Sequence, residues 1–477
     1  MDRLRTRTKI IFGSADLFGG GAFNLIGFFY LIFLTDVLQI SPALAGVVVS
    51  VSKLWDAISD PLMGVLTDRT RTRIGRRRPY FFAAFFTVFV AVAVLWYPAD
   101  IAAESARFAY ALISYLLFST VSTSVMIPYL SMQPELTPDY QERTSLNVFK
   151  MAFSFLGGII AAVVPMKIVG AYEDLRHGWT AMALIFAAFY ALPWLGLALH
   201  LKEHDNRSDP PPPKFSLSDF VAPLKIRTFR ILIGIYLGAF LTMDIMSSVI
   251  AYFMTYVYGR PDQLSTLLGA LIVSQLAFLP LMSRLTRRWD KNKVLTVCAA
   301  VWIVSVSIIA FMPAGAPMGV LIGLAVVTAF GVCGSMVLPW TMYPDTTDVG
   351  RLTTGRDGAG SFSGLMTFFR KAAQSLALLL VGFFLQLAGY VKPIRTVTDG
   401  VTKNINQPQG DAVLLTIRLL LCLMPLLMLT LVIFLSRRYP LGREAHARLK
   451  ALLDKRAEGT AGEAEAAEEQ ALRELLV

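Results

Sequence analysis

Twelve times along this 477-residue chain a run of about 20 mostly apolar residues recurs, the length a helix needs to cross the hydrocarbon core of a bilayer. So many runs cannot all be covered by one another, so lipid must solvate much of the surface and each run must satisfy its own backbone. Spans are expected at 10–34, 43–66, 79–97, 106–131, 145–168, 179–200, 230–257, 264–284, 293–312, 317–342, 360–388 and 412–436. The runs are continuous rather than alternating, which selects helices over a barrel. The expected class is an all-α membrane protein. A charged fraction of 16%, against about 25% in soluble domains, excludes a soluble multidomain enzyme.

The net charge of +11 lies in clusters between spans, not along one soluble basic face, so no nucleic-acid partner is expected. Arg3, Arg5, Arg7 and Lys9, then Arg69, Arg71, Arg73, Arg76, Arg77 and Arg78, then Arg287, Arg288, Lys291 and Lys293 all fall on one side, which reads as cytoplasmic. Both termini are expected there. The loops at 40–43 and 313–317 are uncharged, whereas the loop at 389–411 carries Lys392, Arg395 and Lys403 and weakens the pattern. MDRLRTRTKI leads into an apolar span without a small-residue cleavage site, so the first segment is expected to remain as an anchor. Cys298, Cys333 and Cys422 lie in separate apolar runs without disulfide or metal spacing and read as core residues.

The expected organisation is an amino-terminal six-helix bundle at 1–200, a cytoplasmic linker at 201–229 containing Pro210–Pro213, a second six-helix bundle at 230–437 and a cytoplasmic helical tail at 438–477. Each half has a basic loop between its second and third spans, as two parallel repeats around a midplane site would. No nucleophile elbow, HExxH or phosphate-binding glycine loop stands in a suitable context, which argues against an enzyme and against a nucleotide-driven pump. The GGG at 19–21 sits inside an apolar span and suits close helix packing.

A charge at the bilayer centre costs about 3 kcal/mol on insertion scales, so it persists only if paired, hydrated or used. The second span holds two carboxylates in LWDAISDPLMG: Asp56 and Asp60, four apart and on one helix face, with Ser59 beside them. Asp56 lies ten residues before Leu66, roughly 15 Å along the helix and near the midplane. Two such anions share a proton or hold a small cation between hard oxygens, so a Na+ or H+ site follows; an ion pair with a neighbouring helix is the alternative. Pro61 frees a backbone carbonyl next to the pair. In the eleventh span Lys371 is the expected counter-charge, with Arg370 snorkelling to the interface. Asp16, Lys150 and Asp244 are further intramembrane candidates. Asp345 and Asp348 are expected at the cytoplasmic end of the tenth span, as a gate with Arg351, Arg356 or the basic loops, or as solvated loop; Asp68 and Arg69 stand at the matching end of the second. Trp340 and Tyr343 suit a sugar ring, a gate or, more commonly, an interface.

WDAISDPLMGVLTDRTRTRIGRRRPY and IPYLSMQPELTPDYQERTSLNVFK resemble the glycoside, pentoside and hexuronide cation symporters, the branch of the major facilitator superfamily that includes the melibiose permease. The resemblance covers nearly all twelve spans. It implies the major facilitator fold, two six-helix bundles working by alternating access, with Na+, Li+ or H+ moving alongside a small-molecule substrate through the lipid bilayer. No cofactor, a monomer and a bacterial inner membrane are also expected. Residue by residue, it implies Asp56 and Asp60 as cation carboxylates, with Ser59 where the family carries asparagine and Thr123 near the same ion. Lys371 matches a lysine beside that site, and Lys150 a position usually arginine. Gly20 and Met126 stand where the melibiose permease carries its two sugar-binding acids, and Asp16 is the nearby replacement. VLPWTMYPDTTD and LMPLLMLTLVIFLSRRYP resemble the animal sodium-dependent lysolipid symporters, so the cargo implied is a glycoside or sugar acid, with a lysolipid as the alternative.

Overall fold

The computed structural model describes residues 4–136, 140–201, 221–354, 359–398, 401–457 and 463–477. Most of the 201–229 segment, including Pro210–Pro213, and Arg356 lie outside the described residues. Helices α1 (Thr6–Ser14) and α2 (Asp16–Ile32) run on into a π-helical turn at Phe33–Val37 and make the first span. Then come α3 (Pro42–Arg69), α4 (Arg78–Leu95), α5 (Glu104–Leu136), α6 (Tyr140–Gly170) and α7 (Leu175–His200). The second half comprises α8 (Arg227–Tyr252) with its own π-helical turn at Phe253–Val257, α9 (Leu264–Arg288), α10 (Lys291–Phe311), α11 (Met318–Thr354) and α12 (Ala359–Leu387). An antiparallel hairpin, β1 (Ile394–Thr398) and β2 (Val401–Ile405), precedes α13 (Asp411–Arg437), and α14 (Arg443–Ala457) and α15 (Glu463–Leu476) form the tail. Twelve helical segments of the described residues are long and apolar enough to cross a membrane, and the chain is an integral membrane protein.

The two halves share more than a basic loop. FLTDV at 33–37 and FMTYV at 253–257 are similar in sequence, each ends the first span of its half, and each adopts the π-helical turn. Such internal correspondence is the mark of parallel repeats.

Two compact units divide the chain. One comprises Met1–Pro212, Ser247–Ile272 and Gln374–Ile417, and the other Pro213–Met246, Val273–Ala373 and Arg418–Val477. The first unit therefore holds α1–α7 together with one end of α8, α9, α12 and α13 and the hairpin. Small residues set its tightest crossings. A Cβ on Gly20 would collide with both the hydroxyl and the carbonyl oxygen of Ser154, and one on Gly157 would stand 2.6 Å from Leu17 O, so α2 and α6 approach at backbone distance. Gly382 of α12 meets the Pro42 carbonyl of α3 in the same way, and the Ser50 and Ser375 hydroxyls join at 2.6 Å further along the two helices.

In the second unit the tail is a docked helical hairpin. Leu449, Leu452, Leu472 and Leu476 are buried, Arg473 Nη2 donates to Leu352 O at 2.9 Å, and Thr228 Oγ1 donates to Leu476 O at 2.6 Å.

Candidate functional site

Helix α3 carries the centre of the candidate site. Its apolar segment runs Pro42–Gly64, so Lys53 lies at its middle and Asp56 one turn on, both almost fully buried at 7% and 4% exposure. Lys53 Nζ is 3.6 Å from Asp56 Oδ2 and also lies over the rings of Phe23 and Tyr115, at 5.1 and 5.9 Å from their centroids. Asp60 Oδ1 accepts from Thr123 Oγ1 of α5 at 2.8 Å, and Ser59 Oγ stands 3.3 Å from the same threonine hydroxyl. The structure thus brings Ser59, Asp60 and Thr123 together, one helical turn along α3 from Asp56. Pro61 removes the amide that the Ala57 carbonyl would accept, leaving another oxygen in this stretch. Among the described residues no group of three or more His, Cys, Asp or Glu side chains is placed to hold a metal. Two carboxylates and two hydroxyls offer hard oxygen donors.

Lys53 is the residue that the sequence reading passed over. Its i,i+3 spacing from Asp56 and its place in VVVSVSKLWD carry the same depth argument that singled out the acids.

A second polar patch lies between α2 and α6. Asp16 is buried, hydrogen-bonds Ser154 and lies in the field of Lys150, whose ammonium is 5.8 Å from the Tyr129 ring centroid. A Cβ on Gly19 would touch both Asp16 Oδ1, at 2.6 Å, and Met126 Cε, at 2.8 Å. Asp16, Lys150 and Met126 therefore share one region. Gly20 is different: its backbone is pressed against Ser154, so this position supplies a helix crossing and has no room for the acidic side chain of the resembled permease.

In the second unit Asp244 of α8 faces Arg370 of α12, with Nη2–Oδ1 at 2.8 Å and Nη1–Oδ2 at 2.5 Å. The guanidinium also lies 5.1 Å from the Phe240 ring centroid. Arg370 was expected to reach for the interface; instead a carboxylate one helix away holds it inside. Lys371, the next residue, is partly buried. Trp340 is exposed and meets Tyr236 edge-on at 5.4 Å. Asp345 pairs with Lys291 of the basic loop at 2.5 Å, and Asp348 with His446 of the tail at 3.1 Å and Arg351 at 3.5 Å. Arg69 is exposed, and the side chain of Asp68 lies outside the described residues.

A further buried carboxylate, absent from the sequence expectations, lies at the end of the first unit opposite the basic loops. Asp36 Oδ1 accepts from Tyr390 and from Thr35, and Oδ2 accepts from Tyr256 at 2.5 Å. Asp36 and Tyr256 hold the same place in FLTDV and FMTYV, so the two repeats meet through equivalent positions. The hairpin lies over this cluster: Asn404 donates to Asp36 O and Arg395 to Val37 O. Lys392 reaches Gln39 O at 3.0 Å and Glu104 at 3.1 Å. Gln39 itself takes a left-handed φ of 56°. Arg395 Nη1 also lies 3.7 Å from Asp100, so two of the basic residues that weakened the charge pattern at 389–411 each have a carboxylate partner nearby. Thr402 N donates to Asp174 at 2.6 Å and His177 N at 2.9 Å; burial pushes the Asp174 carboxyl up, but these amide bonds outweigh it and hold the carboxyl below its usual range.

A sequence profile described as MFS/sugar transport protein matches residues 11–443. The chain is 26% identical to the uncharacterized symporter sll1374 of Synechocystis sp., across 95% of its own length and 98% of that protein's. It is 25% identical to the sodium-dependent lysophosphatidylcholine symporter 1 of Gallus gallus, across 91% and 86%. In fold it is similar to a mutant form of the nucleoside transporter NupG, with a TM-score of 0.63 at 14% identity, covering 90% of this chain and 98% of that one.

Proposed function

The chain belongs to the MFS/sugar transport protein family, a class of transporters and not of enzymes, and from that premise we propose that it is a secondary symporter driven by Na+, Li+ or H+. Its cargo in this reading is a small polar organic solute, a glycoside or sugar acid, and it works as a monomer in a bacterial inner membrane with both termini cytoplasmic. The arrangement that supports the reading is Asp56 and Asp60, one turn apart in the apolar span of α3, with the hydroxyls of Thr123 and Ser59 beside Asp60. Two like charges in hydrocarbon are strongly unfavourable unless a cation visits them. Asp16 and Lys150 supply a carboxylate and an ammonium for sugar hydroxyls or a sugar carboxylate, with Met126 and Phe23 as an apolar floor. Lys371 and Trp340 are the candidates of the second half.

Alternating access then requires the Asp36 cluster and the hairpin to release when the end opposite the basic loops opens, and the Asp345 and Asp348 network, with Asp68 and Arg69, to act at the cytoplasmic end. Domain boundaries at 1–200, 230–437 and 438–477 belong to the same reading. Solute counterflow in proteoliposomes, with and without a Na+ or proton gradient, tests it: the gradient accelerates uptake by the parent, and uptake by Asp56→Ala equal to the parent's removes the role given to the pair.

The second reading changes only the cargo. Gly20 and Met126 leave the sugar-binding acids unrepresented, Phe23 is 36% exposed, and one relative is named a lysophosphatidylcholine symporter. Competition of uptake by lysolipids but not by sugars would decide for it.

A further inference from the structure

Arginines gather at the end of the first unit opposite the basic loops, where the charge pattern of a membrane chain calls for few. Arg107 is the fourth residue of α5, Arg176 the second of α7, and Arg395 lies on β1. Both helical positions are near the positive end of a helix dipole, which disfavours a guanidinium and favours an anion. Helix stability therefore does not explain them.

Arg176 Nη2 contacts Asp100 Oδ1, and Arg395 Nη1 stands 3.7 Å from the same oxygen. Burial and then the guanidinium of Arg176 hold Arg395 below its usual pKa; Asp100 pulls the other way, and Arg107 adds to the lowering. Asp100 itself is exposed, in the turn between α4 and α5. The neighbouring acids are engaged by other donors: Glu104 by Lys392 and the Ser41 amide, Asp174 by the amides of His177 and Thr402. Among the described residues the Arg107 guanidinium meets no acceptor, and the Nε atoms of Arg107, Arg176 and Arg395 are buried without a hydrogen-bond partner. Two guanidinium groups that converge on one carboxylate oxygen, with a third in their field, offer more N–H donors than that carboxylate can accept. We propose that Arg107, Arg176 and Arg395 form an oxyanion site, at which the carboxylate or phosphate of a small solute takes the place that Asp100 holds. Guanidinium forks match either group at two oxygens. Asp100 is then an internal ligand that the solute displaces. Arg395 also donates to Val37 O, beside Asp36, so the bound anion lies next to the hairpin's hold on that cluster. Neither Asp56 nor a coupling ion takes part, so the site stands or falls apart from the symport reading.

The experiment is a thermal-unfolding titration of the purified full chain with sodium glucuronate or sodium phosphate, with Na+ and ionic strength held constant by sodium and choline chloride. A ligand of the folded state raises the unfolding temperature with its concentration. The parent is expected to show saturable stabilisation by at least one of the two oxyanions beyond that of chloride, and the one that acts identifies the group held. Arg107→Gln removes a side chain that no acceptor meets, so it spares the fold, and it is expected to raise the midpoint of the titration about tenfold or more. Asp100→Asn removes the internal competitor and is expected to lower the midpoint several-fold. If Asp100→Asn does not yield folded protein, Arg107→Gln alone carries the test. A parent that responds to neither oxyanion overturns the site. A response that Arg107→Gln leaves unchanged overturns it too, because the solute is then held elsewhere in the chain. Both results leave symport standing, since Na+ is the same in every arm.

Discussion

Each half of this protein sets an acid against a base within its spans, buried in the first and partly buried in the second, and the two pairs are built differently. In the second unit Asp244 meets a guanidinium through two short contacts from a different helix. In the first unit Asp56 meets an ammonium one turn away on its own helix, at 3.6 Å, with Asp60, Ser59 and Thr123 close by. A guanidinium that donates a hydrogen bond and makes a second close contact from another helix ties two elements together; a longer single contact within one helix leaves the carboxylate more open to exchange. The same distinction separates Asp36, whose carboxylate is saturated by Tyr256, Tyr390 and Thr35 hydroxyls, from Asp56.

The largest effect that follows is on transport. Asp56→Asn should lower gradient-driven uptake at least a hundredfold while leaving the purified protein folded. Retained coupling in that variant would erase the contrast.

Next comes stability in the second unit. Asp244→Asn strands a guanidinium that is 17% exposed, and breaking such a partly buried pair costs about 2–3 kcal/mol. The double variant Asp244→Asn with Arg370→Gln should recover most of that loss. Thermal unfolding of the four members of the cycle measures the coupling; additive losses would make the pair incidental.

Smaller still is the Asp36 cluster. Tyr390→Phe removes one hydroxyl from a carboxylate, worth about 2 kcal/mol, and it should shift the protein toward opening at the end opposite the basic loops. Labelling rates of a cysteine placed under the hairpin would report it, and an unchanged rate would mean that the cluster closes nothing.

Gly20→Ala should destabilise by about 1–3 kcal/mol through the α2–α6 crossing, whereas Gly196→Ala, whose Cβ meets nothing within 4 Å, should be close to neutral. Equal effects at the two sites would refute the crossing.

The smallest prediction concerns pH. The Asp174 carboxyl is held below its usual range in the folded chain, so its stabilisation is complete above the unfolded value of 3.8 and fades only as pH falls through the lower folded value. Asp174→Asn should therefore destabilise equally at pH 5 and pH 8 in an unfolding assay.

The spans were readable because burial in lipid leaves no choice of element: the third was expected at 79–97 and is found at Arg78–Leu95, and the seventh, expected at 230–257, runs Arg227–Val257. Asp56 and Asp60 were visible for the same reason, as charges where hydrocarbon forbids them. Lys53 obeys that rule too and was masked by its more numerous acidic neighbours. Asp36 escaped because it lies just beyond the first apolar run, and only folding shows that two tyrosine hydroxyls from distant segments, Tyr256 and Tyr390, converge on it. The hairpin carried a local signal, β-branched residues flanking Asp399-Gly400, a dipeptide favoured in tight hairpin turns, although those two residues lie outside the described ones. The Asp244–Arg370 pair depends on which helix faces which, and spacing along one chain does not encode that.

One recording tests the contrast most directly. Proteoliposomes adsorbed on a solid-supported membrane are given a Na+ or pH jump without solute, and the transient current is compared between variants. The parent and the Asp244→Asn, Arg370→Gln double variant should both show a charge movement on cation binding, and Asp56→Asn should show none. A full-sized current from Asp56→Asn, or its disappearance only in the double variant, would contradict the assignment of the exchangeable site to α3.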